Sequence, residues 1–529
     1  MDRGISMAPD APVIKSVAEM AARFSVQLTA ALPDWQRRLK ESPDELEKIE
    51  REVHSLAAHG ADMVVSGLIS VVLRSDSLEA QREASRKSFS YRLNRGRERA
   101  VQLRLMGGLV VWICSLYCQP RRRLWSKVDE KRPGVYLDAA QFGIAHGVSP
   151  GLCSRVARQA ALCPSFEFAH EELSRSGVDL DVKTVRRVTY QCGEQQLRLR
   201  KLELEQWRAG ELPAGGELAG QRVTAQIDGG RTKLRGDLRP IKSVEERLNK
   251  DGLATDNAPG RSKKRPTRTC DAEWREPKLL TIFVHNDEGK MVKEFRATID
   301  GTFQGPDAIA ELLAMHLHRL GAAKAQSVTF CADGAPWIWD RIPTICKLAG
   351  LKDVPVHEVL DNCHAAHHIS LALAALGLTD KERLPLYRDL RTRLRNGQWR
   401  EVVANLRELA ADADDDSKVH TELAYLAKHG EAGRLSYRRF RQLGIPLGSG
   451  AIESSIRRVI NQRLKGNSIS WREKNAEAML QVRAQVVSKR WDDRLSDVRT
   501  MACRDARTEW TWQPRPMSVK DEANLTTSV

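Results

Sequence analysis

The chain has 529 residues, and Lys and Arg outnumber Asp and Glu by 85 to 69, which gives a formal net charge of +16. That length suits about three or four domains, and that charge predicts attraction to a polyanion. The most apolar run, residues 106–118, is shorter than the roughly 20 residues of a membrane-spanning helix, so we expect no such helix. The N-terminus lacks the apolar core of a signal peptide, and the scattered cysteines indicate free thiols in a reducing cytosol.

The N-terminal region, residues 1–125, is predicted to be largely helical. Apolar residues recur at three- and four-residue intervals over residues 13–32 and 44–73, which is the period of an amphipathic helix. Residues 82–104 are strongly basic. Such a run is typical of a solvated face and, in a chain of this charge, also of contact with phosphates.

The next region, residues 126–215, is predicted to hold paired helices joined by tight turns. A helix over 165–175, a turn at Ser176-Gly177 and a cap at Asp181 have the spacing of a helix-turn-helix, whose second helix lies in a DNA major groove. Three cations of that second helix would face the DNA: Lys183, Arg186 and Arg187. The same pattern fits any helical hairpin of an all-α bundle, so both interpretations remain open.

From residue 222 the pattern changes to that of a mixed α/β sheet. A strand over 222–228 is followed by a basic linker, 239–275, and then by a hairpin with a turn at 286–289. Further strands and helices alternate before a long helical stretch that reaches about residue 440. The predicted elements are strands 279–285, 291–299, 327–332 and 356–360, and helices 307–320, 342–348, 453–463 and 473–489.

Acidic residues stand at three predicted strand ends, at Asp228, Asp333 and Asp361. An open α/β sheet collects its functional groups at the carboxyl ends of its strands. Carboxylates that meet there repel each other unless a cation lies between them, and Mg²⁺ prefers such oxygen ligands. A fourth acid, Glu453, follows two Gly and a Ser and so falls near the first turn of a helix. Each feature alone also fits a plainer role, as a turn residue or as a partner of the helix dipole.

Three motifs occur in a fixed order: DGG at 228–230, ADGAPWIW at 332–339 and GSGAIES at 448–454. They resemble bacterial insertion-sequence transposases of the DDE class, and the ISKra-type group in particular. The most specific stretch is PLGSGAIESSIRRVINQRLKG at 446–466, followed by Trp471 and by NAEAMLQVR at 475–483. Asp361 and His364 are similar to a D-x-x-H signature that follows the last core strand in several such families. The resemblance covers about residues 130–495.

The resemblance implies an RNase H-like core with an all-helical insertion before the last catalytic acid. By position, Asp228, Asp333 and Glu453 would be the catalytic acids and would bind two Mg²⁺ ions, with Mn²⁺ as a substitute. Asp361 and His364 would lie behind these ligands or contact the DNA. The implied activity is cleavage of the insertion-sequence ends and joining of the 3′-OH to target DNA. The implied partners are double-stranded DNA and further copies of the chain, at least a dimer, in the bacterial cytoplasm.

Further candidate DNA-contacting residues lie near the proposed acids: Arg231, Lys233, Trp337, Arg457, Arg458, Arg463 and Lys465. Trp337 and Trp339 could stack on a flipped base, although alternate tryptophans more often belong to a core. Cys114 and Cys118 are expected to be packing thiols, with zinc binding as the alternative.

The predicted domain order is the N-terminal region, the helix-turn-helix-like region and a divided catalytic core. The core would comprise 216–362 and 444–495, separated by an all-helical insertion, 363–443, and followed by a tail, 496–529. Two other functions remain open: a catalytically inactive DNA-binding protein derived from a transposase, and an RNase H-like nuclease or resolvase without strand transfer.

Overall fold

The computed structural model is a mixed α/β protein that divides into two compact units, residues 1–199 with 492–529, and residues 200–491. It describes the following residues: 4–8, 11–88, 93–120, 134–144, 147–236, 239–240, 268–269, 272–414, 417–466 and 469–504.

The first unit begins with three helices, α1 (Val17–Glu41), α2 (Leu46–Leu73) and α3 (Ser77–Ser88). The first two overlap the predicted amphipathic segments 13–32 and 44–73, although α1 ends nine residues later than predicted, and they pack against each other. Ser16 caps α1, since its hydroxyl accepts a hydrogen bond from the Glu19 amide at 3.1 Å.

One apolar helix corrects the expectation that the chain holds no candidate membrane span. Pro43–Leu73 is long and apolar enough, by length and composition, to cross a membrane. It nevertheless carries buried polar groups with partners inside the unit: Asp62 accepts from the Leu109 amide at 3.1 Å, and the Ser70 hydroxyl donates to the Ile14 carbonyl at 2.6 Å. Core helices of soluble proteins have the same composition, so this helix is consistent with a soluble protein.

The prediction of a largely helical N-terminal region is wrong for residues 93–120, because most of these residues form strands. A five-stranded antiparallel sheet is built around the long strand β4 (Val110–Pro120). The physical reason is that the apolar run 106–118 is rich in β-branched and aromatic residues, which favour a pleated surface. The strands are β1 (Ile5–Ser6), β2 (Leu93–Asn94), β3 (Glu98–Arg104), β4 (Val110–Pro120) and β5 (Val135–Tyr136).

Four helices follow the sheet: α4 (Leu137–Gln141), α5 (Pro150–Leu162), α6 (Phe166–Arg175) and α7 (Val182–Arg208). The turn after α6 has Gly177 at φ +81°, a left-handed conformation that glycine adopts without strain. Asp181 accepts hydrogen bonds from the Thr184 amide and hydroxyl at 2.9 and 2.8 Å, and so begins α7. The predicted helix–turn–helix boundaries are therefore confirmed, whereas contact with DNA stays a prediction.

The second unit is built on a five-stranded mixed sheet in the order β12-β11-β6-β13-β14. Strand β11 is antiparallel to both of its neighbours, while β6, β13 and β14 run parallel. The strands are β6 (Arg222–Gly229), β11 (Lys278–Val284), β12 (Thr298–Thr302), β13 (Ser327–Ala332) and β14 (Val356–Leu360). Because three strands share a direction, their carboxyl ends lie at one edge of the sheet.

The hairpin of the sheet departs from its prediction on the returning side. The turn at residues 286–289 is present, but residue 291 makes only an isolated bridge with His285, and β12 begins at Thr298. A second, two-stranded ribbon joins β6 to β11 and consists of β7 (Thr232–Arg235) and β10 (Ala272–Arg275). The short strands β8 (Arg239–Pro240) and β9 (Arg268–Thr269) pair with each other. The centre of the predicted basic linker, 241–267, lies outside the described residues.

Helices cover the sheet and fill the segment before residue 443. Helix α8 (Pro306–Leu320) is buried along most of its length against the sheet and matches its prediction within one residue. The short helices α9 (Pro336–Trp339) and α10 (Ile342–Leu348) lie between β13 and β14. The helical segment consists of α11 (Asn362–Ala375), α12 (Asp380–Arg395), α13 (Trp399–Leu409), α14 (Lys418–Glu431) and α15 (Tyr437–Gln442).

The last helices differ in detail from the predicted helix over 453–463. Helix α16 (Gly450–Ile456) begins three residues earlier and changes into a π-helical turn (Arg457–Asn461). Arg483 on α17 (Glu473–Val487) donates hydrogen bonds to the carbonyls of Arg458 and Val459. Since a side chain that bonds these carbonyls replaces ordinary helical partners, it accounts for the widened turn. Helix α18 (Trp491–Arg504) is the last described element, so most of the predicted tail lies outside the described residues.

Candidate active site

Two of the predicted acids lie at the carboxyl edge of adjacent parallel strands. Asp228 is the second-to-last residue of β6, and its carboxylate accepts a hydrogen bond from the Gly229 amide at 2.6 Å. Asp333 follows β13 and accepts from the Ala335 amide at 3.1 Å. The pKa of Asp228 is raised to about 6, mainly because the carboxylate is buried; the Gly229 amide lowers it, and the negative charge of Asp333 raises it. Asp228 therefore lies within electrostatic range of the Asp333 carboxylate, as it would in a pair that binds a cation.

Asp361 follows β14 but has no free oxygen for a ligand. It is 2% exposed, and one carboxylate oxygen accepts from the His364 amide at 2.9 Å, which caps α11. Its other oxygen accepts from the amide of Ser449 and, at 2.8 Å, from the Ser449 hydroxyl. Asp361 is thus an anchor that fixes the loop before α16. His364 is half-buried, and its charge lowers the pKa of Asp228.

Glu453 lies in the first turn of α16, as predicted, and it is exposed. Its carboxylate lies 3.0 Å from the Ser449 hydroxyl, whose single proton is shared between Glu453 and Asp361. The Ser449 side chain therefore bridges Glu453 and Asp361, which follows β14.

Gln226 attaches α16 to the central strand. This side chain is 1% exposed and lies two residues before Asp228, on the same face of β6. Its amide nitrogen donates to the Gly448 carbonyl at 3.0 Å, and its oxygen accepts from the Ile452 amide at 2.9 Å. Sequence reasoning did not single out Gln226 or Ser449. A polar residue in an apolar strand and a Ser between two Gly were the available signals, but their partners are distant in the chain.

The acids do not form a ready-made three-ligand site. Among the side chains that the structure describes, no group of three or more His, Cys, Asp and Glu lies close enough to hold a metal ion. Asp228 and Asp333 fit a divalent cation by their chemistry and mutual influence, whereas Glu453 is engaged with Ser449. Glu276 also raises the pKa of Asp228, although it forms an ion pair with Lys278 at 2.5 Å.

The loop after Asp333 is tightly packed against the helical segment. A methyl group on Gly334 would overlap the Tyr425 hydroxyl of α14, which explains the need for glycine. The Tyr425 ring stacks on His368, with ring centroids 3.6 Å apart. Burial raises the pKa of Tyr425, and the nearby charge of Asp333 raises it further. The helical segment therefore contributes an aromatic wall beside Asp333.

The two tryptophans after Asp333 have different surroundings. Trp339 is 4% exposed, and its indole N–H donates to the Asp333 carbonyl at 2.8 Å, so it is a core residue. Trp337 is half-buried, with the Lys278 ammonium 4.3 Å from its ring centroid. Trp339 therefore cannot stack on a flipped base, and it belongs to the core, which was the second of the two roles predicted for it.

Most of the predicted DNA-contacting cations are exposed. These are Lys183, Arg186, Arg187, Arg231, Lys233, Arg457, Arg458 and Lys465. Arg463 is an exception, because it is 3% exposed and its guanidinium lies over the Trp471 ring at 5.1 Å. The prediction that Arg463 contacts DNA is therefore wrong for this conformation.

The basic stretch of residues 82–104 is in part a structural element. Arg82 is 1% exposed and forms a two-pronged ion pair with Asp138 at 2.5 and 2.7 Å. Such a buried guanidinium is not available to a phosphate. Cys114 and Cys118 are both buried in β4. Residues four apart in a strand are separated by about 13 Å, which is too far for two ligands of one zinc ion, so both are packing thiols.

No protein-family model, curated protein or solved structure matches the chain. Its function is therefore inferred from the residues and the geometry described above.

Proposed function

We propose that the chain is a DDE-class DNA transposase, which cleaves the ends of its insertion sequence and joins the 3′-OH to target DNA. The observation that supports this most is the convergence of acids at one edge of the second unit. Asp228 and Asp333 end two adjacent parallel strands, and the helix of Glu453 is anchored to the same sheet through Gln226 and Asp361.

The topology of the sheet supports the same proposal. With strands numbered along the chain within this sheet, the order is third, second, first, fourth and fifth, and only the second runs antiparallel to the rest. This order is compatible with an RNase H-like core. The helices α11–α15 stand between β14 and the helix of Glu453, where the resemblance places an all-helical insertion.

Each acid has a distinct proposed role. Asp228 and Asp333 would hold Mg²⁺ between them, and Glu453 would complete the set of ligands after turning away from Ser449. When bound, two such ions activate an attacking oxygen and stabilise a leaving oxygen in phosphoryl transfer. Asp361 and Ser449 set the position of the Glu453 helix, and Gln226 ties that helix to the strand that carries Asp228.

The DNA would be held by exposed cations outside the acidic centre. Arg457 and Arg458 follow Glu453 on the π-helical turn, and Arg231 and Lys233 follow Asp228. In the first unit, Lys183 and its neighbours on α7 would read the element ends. We also propose that the chain acts in the cytoplasm as at least a dimer, because two element ends must be processed together.

The test is an assay of the purified chain with Mg²⁺ on plasmid DNA that carries the inverted repeats flanking its gene. We expect end cleavage and joining to a target, both abolished in Asp228→Asn, Asp333→Asn and Glu453→Gln. Asp353→Asn, at an exposed acid before β14, is the matched control and should retain activity. Binding to end DNA should fall steeply as salt rises from about 50 to 200 mM.

One observation favours a second candidate function, a DNA-binding protein without catalysis. The described residues hold no three-ligand group. Binding to the ends with no cleavage in Mg²⁺ or Mn²⁺ would support that candidate and overturn the transposase. Cleavage without joining would instead indicate a nuclease or resolvase.

A further inference from the structure

The ribbon of β7 and β10 prolongs the central strand pair beyond the acidic edge. Strands β6 and β11 pair up to Gly229 and Lys278, and the chain then continues into the ribbon, whose first pair is Thr232 with Arg275. The ribbon is fixed to the unit at its far strand end, because the Arg235 amide donates to the Trp471 carbonyl at 2.8 Å. Its position relative to Asp228 is therefore set by backbone pairing.

The two faces of strand β7 have opposite character, whereas all four residues of β10 are exposed. On β7, Thr232 and Leu234 are buried, while Lys233 and Arg235 alternate with them and are exposed. Trp274 lies directly across from Lys233 and thus on the exposed face, and it remains 52% exposed. The Arg231 guanidinium lies over the Trp274 ring, 5.3 Å from its centroid. One indole and three cations therefore share a single outward surface.

We propose that this surface, Arg231, Lys233, Arg235 and Trp274, binds one DNA strand with an unpaired base stacked on Trp274. The inference rests on the proposed function, and it adds the form of DNA that the site takes. Cations two residues apart in a strand recur about every 6.8 Å, a spacing suited to consecutive phosphates of an extended strand. An exposed indole offers stacking to a base of any sequence once that base has left its duplex.

The charge of the ribbon surface favours a nucleic-acid strand as its ligand over a segment of the chain itself. Residues 231–275 contain 13 Lys and Arg against 7 Asp and Glu. The remainder of this basic segment would be repelled by the three cations of the ribbon, whereas a phosphate backbone would be attracted. The ribbon lies next to Asp228 in the chain, so a strand held there would lead to the acidic edge.

The experiment uses the full chain and two DNA probes, a blunt duplex and the same duplex with a short single-stranded overhang that carries 2-aminopurine. We expect quenching of the 2-aminopurine fluorescence by the wild type, and loss of that quenching in Trp274→Ala. Affinity for the overhang probe should fall roughly 5- to 150-fold, the equivalent of about 1–3 kcal/mol of stacking per base. Affinity for the blunt duplex should change less than about twofold.

Three controls separate stacking from other effects. Trp274→Phe should restore most of the quenching, and Met291→Ala, at another exposed apolar side chain, should behave as the wild type. Arg231→Gln should weaken both probes alike and lower the salt dependence of binding. Far-ultraviolet circular dichroism and thermal unfolding of each variant establish that the fold is retained.

The inference would be overturned if Trp274→Ala quenched 2-aminopurine as strongly as the wild type, or if it lost affinity for both probes equally. It would also be overturned if the surface bound an acidic peptide and its substitution left DNA binding unchanged. The outcome is independent of catalysis. Asp228→Asn should keep the quenching, so a chain that stacks the overhang but never cleaves would refute the transposase and retain the ribbon. If Trp274→Ala cleaves DNA normally and quenches 2-aminopurine as the wild type does, the proposed function stands and the ribbon inference is refuted.

Discussion

The substitution Asp361→Asn should loosen the helix that carries Glu453. The buried carboxylate accepts three hydrogen bonds, from the His364 amide and from the amide and hydroxyl of Ser449. An amide side chain of nearly the same size has only one oxygen. Whichever way it turns, its NH₂ group faces a backbone N–H that needs an acceptor.

The cost follows from the contacts that are lost. Loss of the helix cap at α11 costs about 0.5–2 kcal/mol, and loss of a hydrogen bond to a charged group costs about 1.5–3 kcal/mol. Asparagine keeps one oxygen, so only one of these losses is complete, but the missing negative charge also weakens the bonds that remain. Together we expect about 2–4 kcal/mol of local destabilisation. At 1.4 kcal/mol per tenfold, that corresponds to a change of roughly 30- to 700-fold in a local opening equilibrium.

Hydrogen–deuterium exchange measured by mass spectrometry reports this local change without a two-state assumption for the whole chain. The peptide covering residues 446–456 should exchange faster by that factor in Asp361→Asn, and DNA cleavage should fall with it. Asp353→Asn is the control, since that acid is exposed and holds no helix. Exchange within about twofold of wild type in Asp361→Asn would refute the anchoring role of Asp361.

Three further predictions concern stability. Asp300→Asn should destabilise the second unit by about 3–5 kcal/mol in urea unfolding. The reason is that the buried Arg200 guanidinium, which lies 2.9 Å from the Asp300 carboxylate, loses its main counter-charge. A loss of stability below about 1 kcal/mol would contradict this prediction. Burial lowers the pKa of His285 from 6.5 to about 4 in the folded chain. Between these values the unfolded chain binds a proton at His285 that the folded chain does not bind, so the free energy of unfolding should fall by about 2 kcal/mol from pH 7 to pH 5. His285→Gln should remove that part of the slope, and an unchanged slope would refute it. Gly334→Ala should cost about 1–3 kcal/mol in thermal unfolding through overlap with Tyr425, and full stability would show that the loop yields.

Local patterns were sufficient to predict much of the sheet in the second unit. Strands β13 and β14 begin and end at the predicted residues, because each is a short apolar run bounded by polar residues. Strand β12 begins seven residues later than predicted, since the intervening stretch has strand-like composition but only the isolated bridge as pairing. Pairing partners, which decide such cases, are not encoded locally.

The candidate site was predictable in its acids but not in their supports. Asp228, Asp333 and Glu453 were found from strand ends, a helix start and their resemblance to known motifs. The contacts of Gln226 and Ser449 join residues that are 226 and 88 positions apart, and a local pattern carries no information on them. The burial of Arg463 was missed for the same reason, because a basic helix face does not show which cation a neighbouring ring covers.

The antiparallel register of β6 and β11 also limits how this chain can vary. A slip of one residue would move Gln226 and Asp228 together to the opposite face of the sheet, and so remove both the acid and the anchor of α16. Beyond that register the ribbon pairs Thr232 with Arg275, so the residues between Gly229 and Thr232 must span a fixed distance. A single-residue deletion between Gly229 and Thr232 should therefore disrupt one of the two pairings and abolish activity.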